Sequence, residues 1–160
     1  MNKVPETSVY CRGNQPQRPP AGKRLLAFDL GTKRVGVAVS DELLITVRAL
    51  PYLQRTNWKK LLRDIAELRQ TYDAQTIVIG LPLRLDGSEG EACADARRIA
   101  RNLSLSLDLP VWMQDERLTS RAAEESLRDL GLKSDDINEH VAGAAAALIL
   151  RDFIAQRAQE

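Results

Sequence analysis

From Arg24 onward the apolar residues arrive in short blocks separated by polar or Gly/Pro punctuation. The run Arg24-Leu25-Leu26-Ala27-Phe28-Asp29-Leu30 breaks at Gly31, and Val35-Gly36-Val37-Ala38-Val39-Ser40 follows at once. That pattern predicts two strands joined by a tight turn. A third run, Leu44 to Leu50, follows Asp41-Glu42 and ends at Pro51, which predicts a three-strand antiparallel meander. Periodicity then changes. Trp58, Leu61, Leu62, Ile65, Leu68 and Tyr72 recur at intervals of three and four, with Asn57 or Thr56 available as N-cap, so an amphipathic helix is expected over 57–72. Thr76-Ile77-Val78-Ile79-Gly80-Leu81 is continuously apolar, as expected of a parallel strand covered on both faces. Glu91 to Leu107 predicts a second helix, and Pro110 to Gln114 a fifth strand ending at Asp115-Glu116. A third helix is expected from about Ser120 to Leu130, stopped by Gly131, and an alanine-rich helix from about Asp136 to Gln156. The order βββαβαβαα predicts an α/β fold of three layers. Its mixed five-stranded sheet is a meander followed by parallel strands, with helices on both faces.

Length and composition narrow this further. At 160 residues and 44% hydrophobic, the chain fits one domain with a genuine core. Residues 1–22, rich in Pro, Gly, Gln and Asn, read as a disordered basic leader, and residues 23–157 as the folded domain. Net charge is +1, but five cations (Lys3, Arg12, Arg18, Lys23, Arg24) and one acid (Glu6) fall in the first 24 residues, so the remainder is slightly acidic. That counts against a broad surface coating nucleic acid, which needs an excess of Lys and Arg, and leaves room for a site focused by bound cations. No run is apolar and long enough to span a membrane, and residues 1–24 lack the apolar stretch of a secretory signal. A cytoplasmic protein without a membrane partner is expected. Cys11 and Cys93 sit in unlike contexts without metal spacing and read as reduced thiols.

Three constellations carry candidate chemistry. The first is Asp29-Leu30-Gly31-Thr32-Lys33-Arg34, an acid at the end of a buried strand followed by a turn with a hydroxyl and two cations. A carboxylate there needs a partner, either a divalent cation or the Lys33 and Arg34 charges. The second is Asp115-Glu116-Arg117, at a strand end where open α/β sheets place ligands. Adjacent strand residues point to opposite faces, so one acid alone can meet Asp29; Glu116 is favoured as ligand, with Asp115 behind it or as the alternative. The third is the loop Leu81 to Gly90, in which Arg84 and Asp86 could position a phosphate or an outer metal ligand, or simply form a turn.

Three blocks, AFDLGTKRVGVAVSD, VIGLPLRLDGSEG and DERLTSRAA, occur in this order and resemble the YqgF family of Holliday-junction-resolvase-like nucleases over residues 24–155. The element order is also that of the RNase H-like fold, and of half an actin-like kinase. The resemblance implies an RNase H-like domain with an acidic metal site and a role in maturing the 5′ end of precursor 16S rRNA. Carried over, the first catalytic acid falls on Asp29 and the strand-five acid on Asp115-Glu116. The third should open the final helix in a pattern like V-D-x-x-A-A-x-x-I-L, but the chain reads Val141-Ala142-Gly143-Ala144-Ala145-Ala146-Ala147-Leu148-Ile149-Leu150. The acid has become Ala142. Glu139 lies about one turn earlier on the same helical face, with His140 beside it, and either could supply the missing ligand.

The expectation is a hydrolase cutting phosphodiester bonds of structured nucleic acid, with precursor rRNA favoured over branched DNA. Asp29, Glu116 and Glu139 would hold Mg²⁺ or Mn²⁺ through oxygen ligands, as hard cations prefer. Thr32, Lys33, Arg34, Arg84, Asp86 and Arg117 would contact the substrate. One rival is a degenerate member that binds RNA without cutting it, motivated by Ala142. Another is an actin-like phosphotransferase, which length disfavours because such enzymes close two domains around a nucleotide. Nothing in the sequence separates a monomer from a homodimer.

Overall fold

The computed structural model describes residues 9–11, 13, 18–116 and 134–158, with the backbone alone for 134–140. Its strands are β1 (Val9–Tyr10), β2 (Arg24–Leu30), β3 (Arg34–Ser40), β4 (Val47–Gln54), β5 (Ala74–Leu81) and β6 (Val111–Asp115). Its helices are α1 (Trp58–Tyr72), α2 (Glu91–Leu107) and, as α3, Ser134–Ala158. One sheet holds every strand, in the order β1-β6-β5-β2-β3-β4. The meander β2-β3-β4 is antiparallel, while β5 and β6 run parallel to β2. Parallel neighbours require crossovers, and α1 and α2 supply them. The expected α/β layering therefore holds, with six strands among the described residues in place of five.

Alternation along the strands divides the core in two. Leu26, Phe28, Ile77, Ile79, Val111 and Met113 face α1 and α2. Leu25, Ala27, Val78 and Trp112 face α3, where they meet Ala146, Ile149, Leu150 and Phe153. Successive residues of β2, β5 and β6 thus point to opposite layers, which makes these strands continuously apolar. Asn57 caps α1 by accepting a hydrogen bond from the Lys60 amide at 2.9 Å. Among the described residues no helix is long and apolar enough to cross a membrane.

Three element expectations change. The sequence pattern puts the third strand at 44–50 with Pro51 as its stop; β4 instead runs Val47–Gln54 through Pro51. β4 is the edge of the sheet, where a missing N–H costs little, and pairing shifts between Val35 and Val37 beside Leu50 and Leu53, so Pro51 sits in a bulge. Leu43 and Ile45 are exposed in the preceding turn, which Asp41 Oδ1 closes by accepting from the amides of Ile45 and Thr46. The extra strand, β1, comes from the segment read as leader. Val9 and Tyr10 pair with Trp112 and Val111, cover the open edge of β6, and bring the Tyr10 hydroxyl to Arg97 at 3.3 Å. The last helix begins two residues earlier and ends two later than expected. The helix expected over about 120–130 lies outside the described residues. Neither Cys11 nor Cys93 forms a disulfide among the described residues, and the buried Cys93 donates to the Pro82 carbonyl at 3.2 Å.

Small residues let α3 lie close on the sheet. A Cβ at Gly36 would overlap the backbone carbonyl of Ala142, and one at Gly143 would come within 3.3 Å of the Ala49 Cβ. Gly36→Ala should therefore push α3 off β3 and destabilise the fold by about 1–3 kcal/mol, the usual scale of overpacking. A thermal melt reads this as a lowered Tm; an unchanged Tm would mean that α3 does not rest on this glycine.

Candidate active site

β2 and β6 are separated by β5, so acids at their ends start two strand spacings apart, about 10 Å. Asp29 follows Phe28 and points to the opposite layer, towards α3. Glu116 leaves the end of β6, its amide donating to the Leu81 carbonyl at 3.1 Å, and its carboxyl lies over Gly80 of β5. A Cβ on Gly80 would overlap that carboxylate and come within 2.6 Å of the Ile149 Cδ1. The bare glycine leaves a passage across the central strand. Through it the longer Glu side chain reaches Asp29, and the two carboxyls meet in a side-chain hydrogen bond.

Burial pushes both carboxyls up from their ordinary values, Glu116 to about 9, with the nearby Asp29 and Asp115 charges adding to the effect. Burial therefore favours one proton shared between the two carboxyls over two charges. Its Oε2 is buried without a hydrogen-bond partner. An orphaned oxygen beside two carboxyls that cannot both ionise is a donor set suited to a hard divalent cation, whose charge would replace the shared proton. Among the described residues no third His, Cys, Asp or Glu completes a three-ligand cluster.

The remaining candidates are spread around this pair. Asp115 follows Met113 in the alternation of β6 and so belongs to the α1–α2 layer, away from Asp29. Thr32 and Lys33 are exposed in the β2–β3 turn, and the Arg34 guanidinium lies 5.1 Å from the Tyr52 ring centroid. Arg84 and Asp86 are exposed in the β5–α2 loop; Asp86 Oδ1 accepts from the Ser88 amide and hydroxyl at 2.8 and 2.6 Å, which lowers its pKa and closes the turn. Arg117 and the side chains of Glu139 and His140 fall outside the described residues. Ala142 sits against Gly36, which pairs with Asp29, so the position that resembles the family's third acid borders the carboxyl pair.

Two contributors escape a reading by residue chemistry. In the sequence Gly80 is simply one residue of an apolar run; a glycine inside such a run is itself a signal of close approach by another group. Arg55 lies beyond the expected third strand, yet its Nη1 donates to the Gly31 carbonyl at 3.0 Å and its amide to the Lys33 carbonyl at 2.9 Å. It braces the turn that follows Asp29.

A mixed sheet of this order with paired acids at its strand ends defines an RNase H-like protein of the resolvase type. Solved structures agree on the fold. Thermus thermophilus RuvC in complex with a Holliday junction substrate aligns with a TM-score of 0.51 at 17% identity, over 84% of this chain and 96% of that one. The fowlpox virus resolvase bound to Holliday junction DNA aligns at 0.50 and 10% identity, over 84% of this chain and 98% of that one. The family model RuvX, Holliday junction resolvase, matches residues 23–156, and the chain belongs to this family of phosphodiester-cleaving hydrolases. Relatives named "Putative pre-16S rRNA nuclease" include one from Syntrophus aciditrophicus, 44% identical over 86% of this chain and 91% of its own length. Another, from Anaeromyxobacter dehalogenans, is 42% identical over 84% of this chain and 98% of its own length.

The shared proton gives the metal-free protein a pH-dependent stability. With a folded pKa near 9 against an ordinary 4.5, Glu116 keeps its proton longer in the folded state, so its contribution is full below about pH 4.5 and lost as pH rises through about 9. In chelator, Tm should decline across that window, and Glu116→Gln, which retains a donor and cannot ionise, should flatten the decline. An equal slope in both proteins would remove Glu116 as its source.

Proposed function

We propose that this chain is a metal-dependent endonuclease acting on structured nucleic acid, most closely suited to trimming the 5′ end of precursor 16S rRNA. The observation that carries the reading is the Asp29–Glu116 carboxyl pair, held over Gly80 at the upper rim of the sheet. The relatives' name, a pre-16S rRNA nuclease, supports the substrate. Bound at the pair, Mg²⁺ or Mn²⁺ would supply Lewis acidity for water activation and for charge neutralisation on the phosphodiester. Asp29 and Glu116 would hold the ion, and Glu116 would give up its proton as it did so. Lys33 and Arg34, adjacent where the turn after Asp29 enters β3, would neutralise the non-bridging oxygens of the phosphodiester. Arg55 keeps that turn in place through the Gly31 and Lys33 carbonyls. Glu139 and Arg117 remain candidates for a third ligand and a phosphate contact.

A second reading, a weakened nuclease that mainly binds its RNA, is favoured by Ala142 at the rim of the pair. Cleavage of a precursor 16S fragment and of branched DNA in Mg²⁺ and in Mn²⁺ separates the two. The nuclease reading expects metal-dependent cutting of the RNA that falls at least about 100-fold in Asp29→Ala, the scale of removing one preorganised electrostatic contribution. Absence of cutting by the wild-type chain in both metals, with RNA binding retained, would select the second reading. Ala142→Asp adds a carboxylate beside the pair and should tighten Mn²⁺ binding on the order of tenfold, about 1.4 kcal/mol; unchanged affinity would place position 142 out of reach of the ion.

A further inference from the structure

Across the upper rim from the carboxyl pair, on the α1–α2 side, lies a cavity of about 260 Å³ that none of the chemistry above uses. Leu61 and Ile99 floor it, and Arg55, Trp58, Arg98 and Asn102 surround it. We infer that this cavity takes one unpaired nucleotide flanking the cut, its base stacked on Trp58 and its phosphate facing Arg55 and Arg98. The inference rests on the nuclease reading for the identity of the strand, and on independent features of the cavity for the ligand.

Trp58 is a large aromatic left 37% exposed at the start of a helix, where the core gains little from it. A solvent-facing ring beside cations is the arrangement with which proteins stack single-stranded bases. The cationic wall is built rather than scattered. Asp95 Oδ2 accepts from Arg55 at 2.6 Å and Asp95 Oδ1 from Arg98 at 2.5 Å, so one carboxylate orients two guanidiniums and leaves an excess positive charge. Planar guanidiniums so oriented match a phosphate. Asn102 adds an amide able to donate to and accept from a base edge. The volume, below the roughly 300–1,000 Å³ of pockets for drug-sized ligands, suits a single flat ring.

Position ties the cavity to the cut. Arg55 is shared: one guanidinium nitrogen lines up Asp95, and another holds the Gly31 carbonyl in the turn after Asp29. Asp29 faces α3 while the cavity lies under α1 and α2, so a strand engaging both must cross the rim of the sheet. A paired, stacked base cannot enter such a recess. The site therefore selects substrates with a single-stranded segment next to the scissile bond.

The test uses the full chain in metal-free buffer, so that binding is read without cleavage. The chain has two tryptophans, and Trp112 is buried against Phe153 in the other core. Quenching by added oligonucleotide thus reports on Trp58. A short oligouridylate, the matching oligothymidylate and a blunt duplex are titrated, and anisotropy of labelled oligomers gives Kd for Trp58→Ala and Trp58→Phe. Quenching by either single strand is expected, together with a Kd rise of about 5- to 150-fold in Trp58→Ala, the range of losing one base–aromatic stack, and a rise of no more than about threefold in Trp58→Phe. The duplex Kd should be the same in all three proteins. Unquenched emission with both single strands, an unchanged Kd in Trp58→Ala, or equal weakening on the duplex would overturn the inference. A chain that never cuts can still pass this test, and one that cuts can still fail it, so the two readings fall separately.

Discussion

Everything at the functional end of this molecule depends on two carboxyls from non-adjacent strands sharing one desolvated space. Water would keep Asp29 and Glu116 ionised and apart. Burial against α3 raises the cost of both charges, and a single proton between them is the metal-free solution. The same physics that makes two charges costly would suit the pair to a divalent cation, because displacing the shared proton leaves two anionic oxygen donors aimed at one point.

The sheet supplies the geometry through what it omits. Gly80 clears the passage by which Glu116 crosses β5, and Gly36 lets the backbone of α3 settle beside the residue paired with Asp29. Side chains at either place would occupy the site itself. The alanine-rich stretch of α3 serves the same end, since Ala145, Ala146 and Ala147 are buried and allow close packing on β2 and β3. Close approach then brings position 142 to the rim of the pair, where Ala142 stands in place of the acid of the pattern the chain resembles.

Much of this was legible in the sequence, for physical reasons that differ by element. The period-3.6 stripe of α1, the unbroken apolar run of β5 and the helix α2 (Glu91–Leu107) each follow from burial on one face or two, and each appears within a few residues of its expected place. The opposed faces of Asp115 and Glu116 follow from strand alternation. β4 was misplaced because Pro51 reads as a terminator until the strand is known to be an edge. β1 could not be read from two apolar residues in a polar segment; pairing with the open side of β6 gives them their conformation. The cavity beside Trp58 was likewise invisible, because Trp58 fits the apolar stripe of α1 and only the placement of α2 shows that its ring lies at the surface.

The central claim is that Glu116 carries a proton that a divalent cation must displace. Calorimetric titration of Mn²⁺ into the metal-free chain at pH 7, repeated in buffers of different ionisation enthalpy, counts the protons released per ion bound. The account predicts about one proton for the wild-type chain and close to none for Glu116→Gln. Binding with no proton released by the wild-type chain, or no Mn²⁺ binding at all, would contradict it.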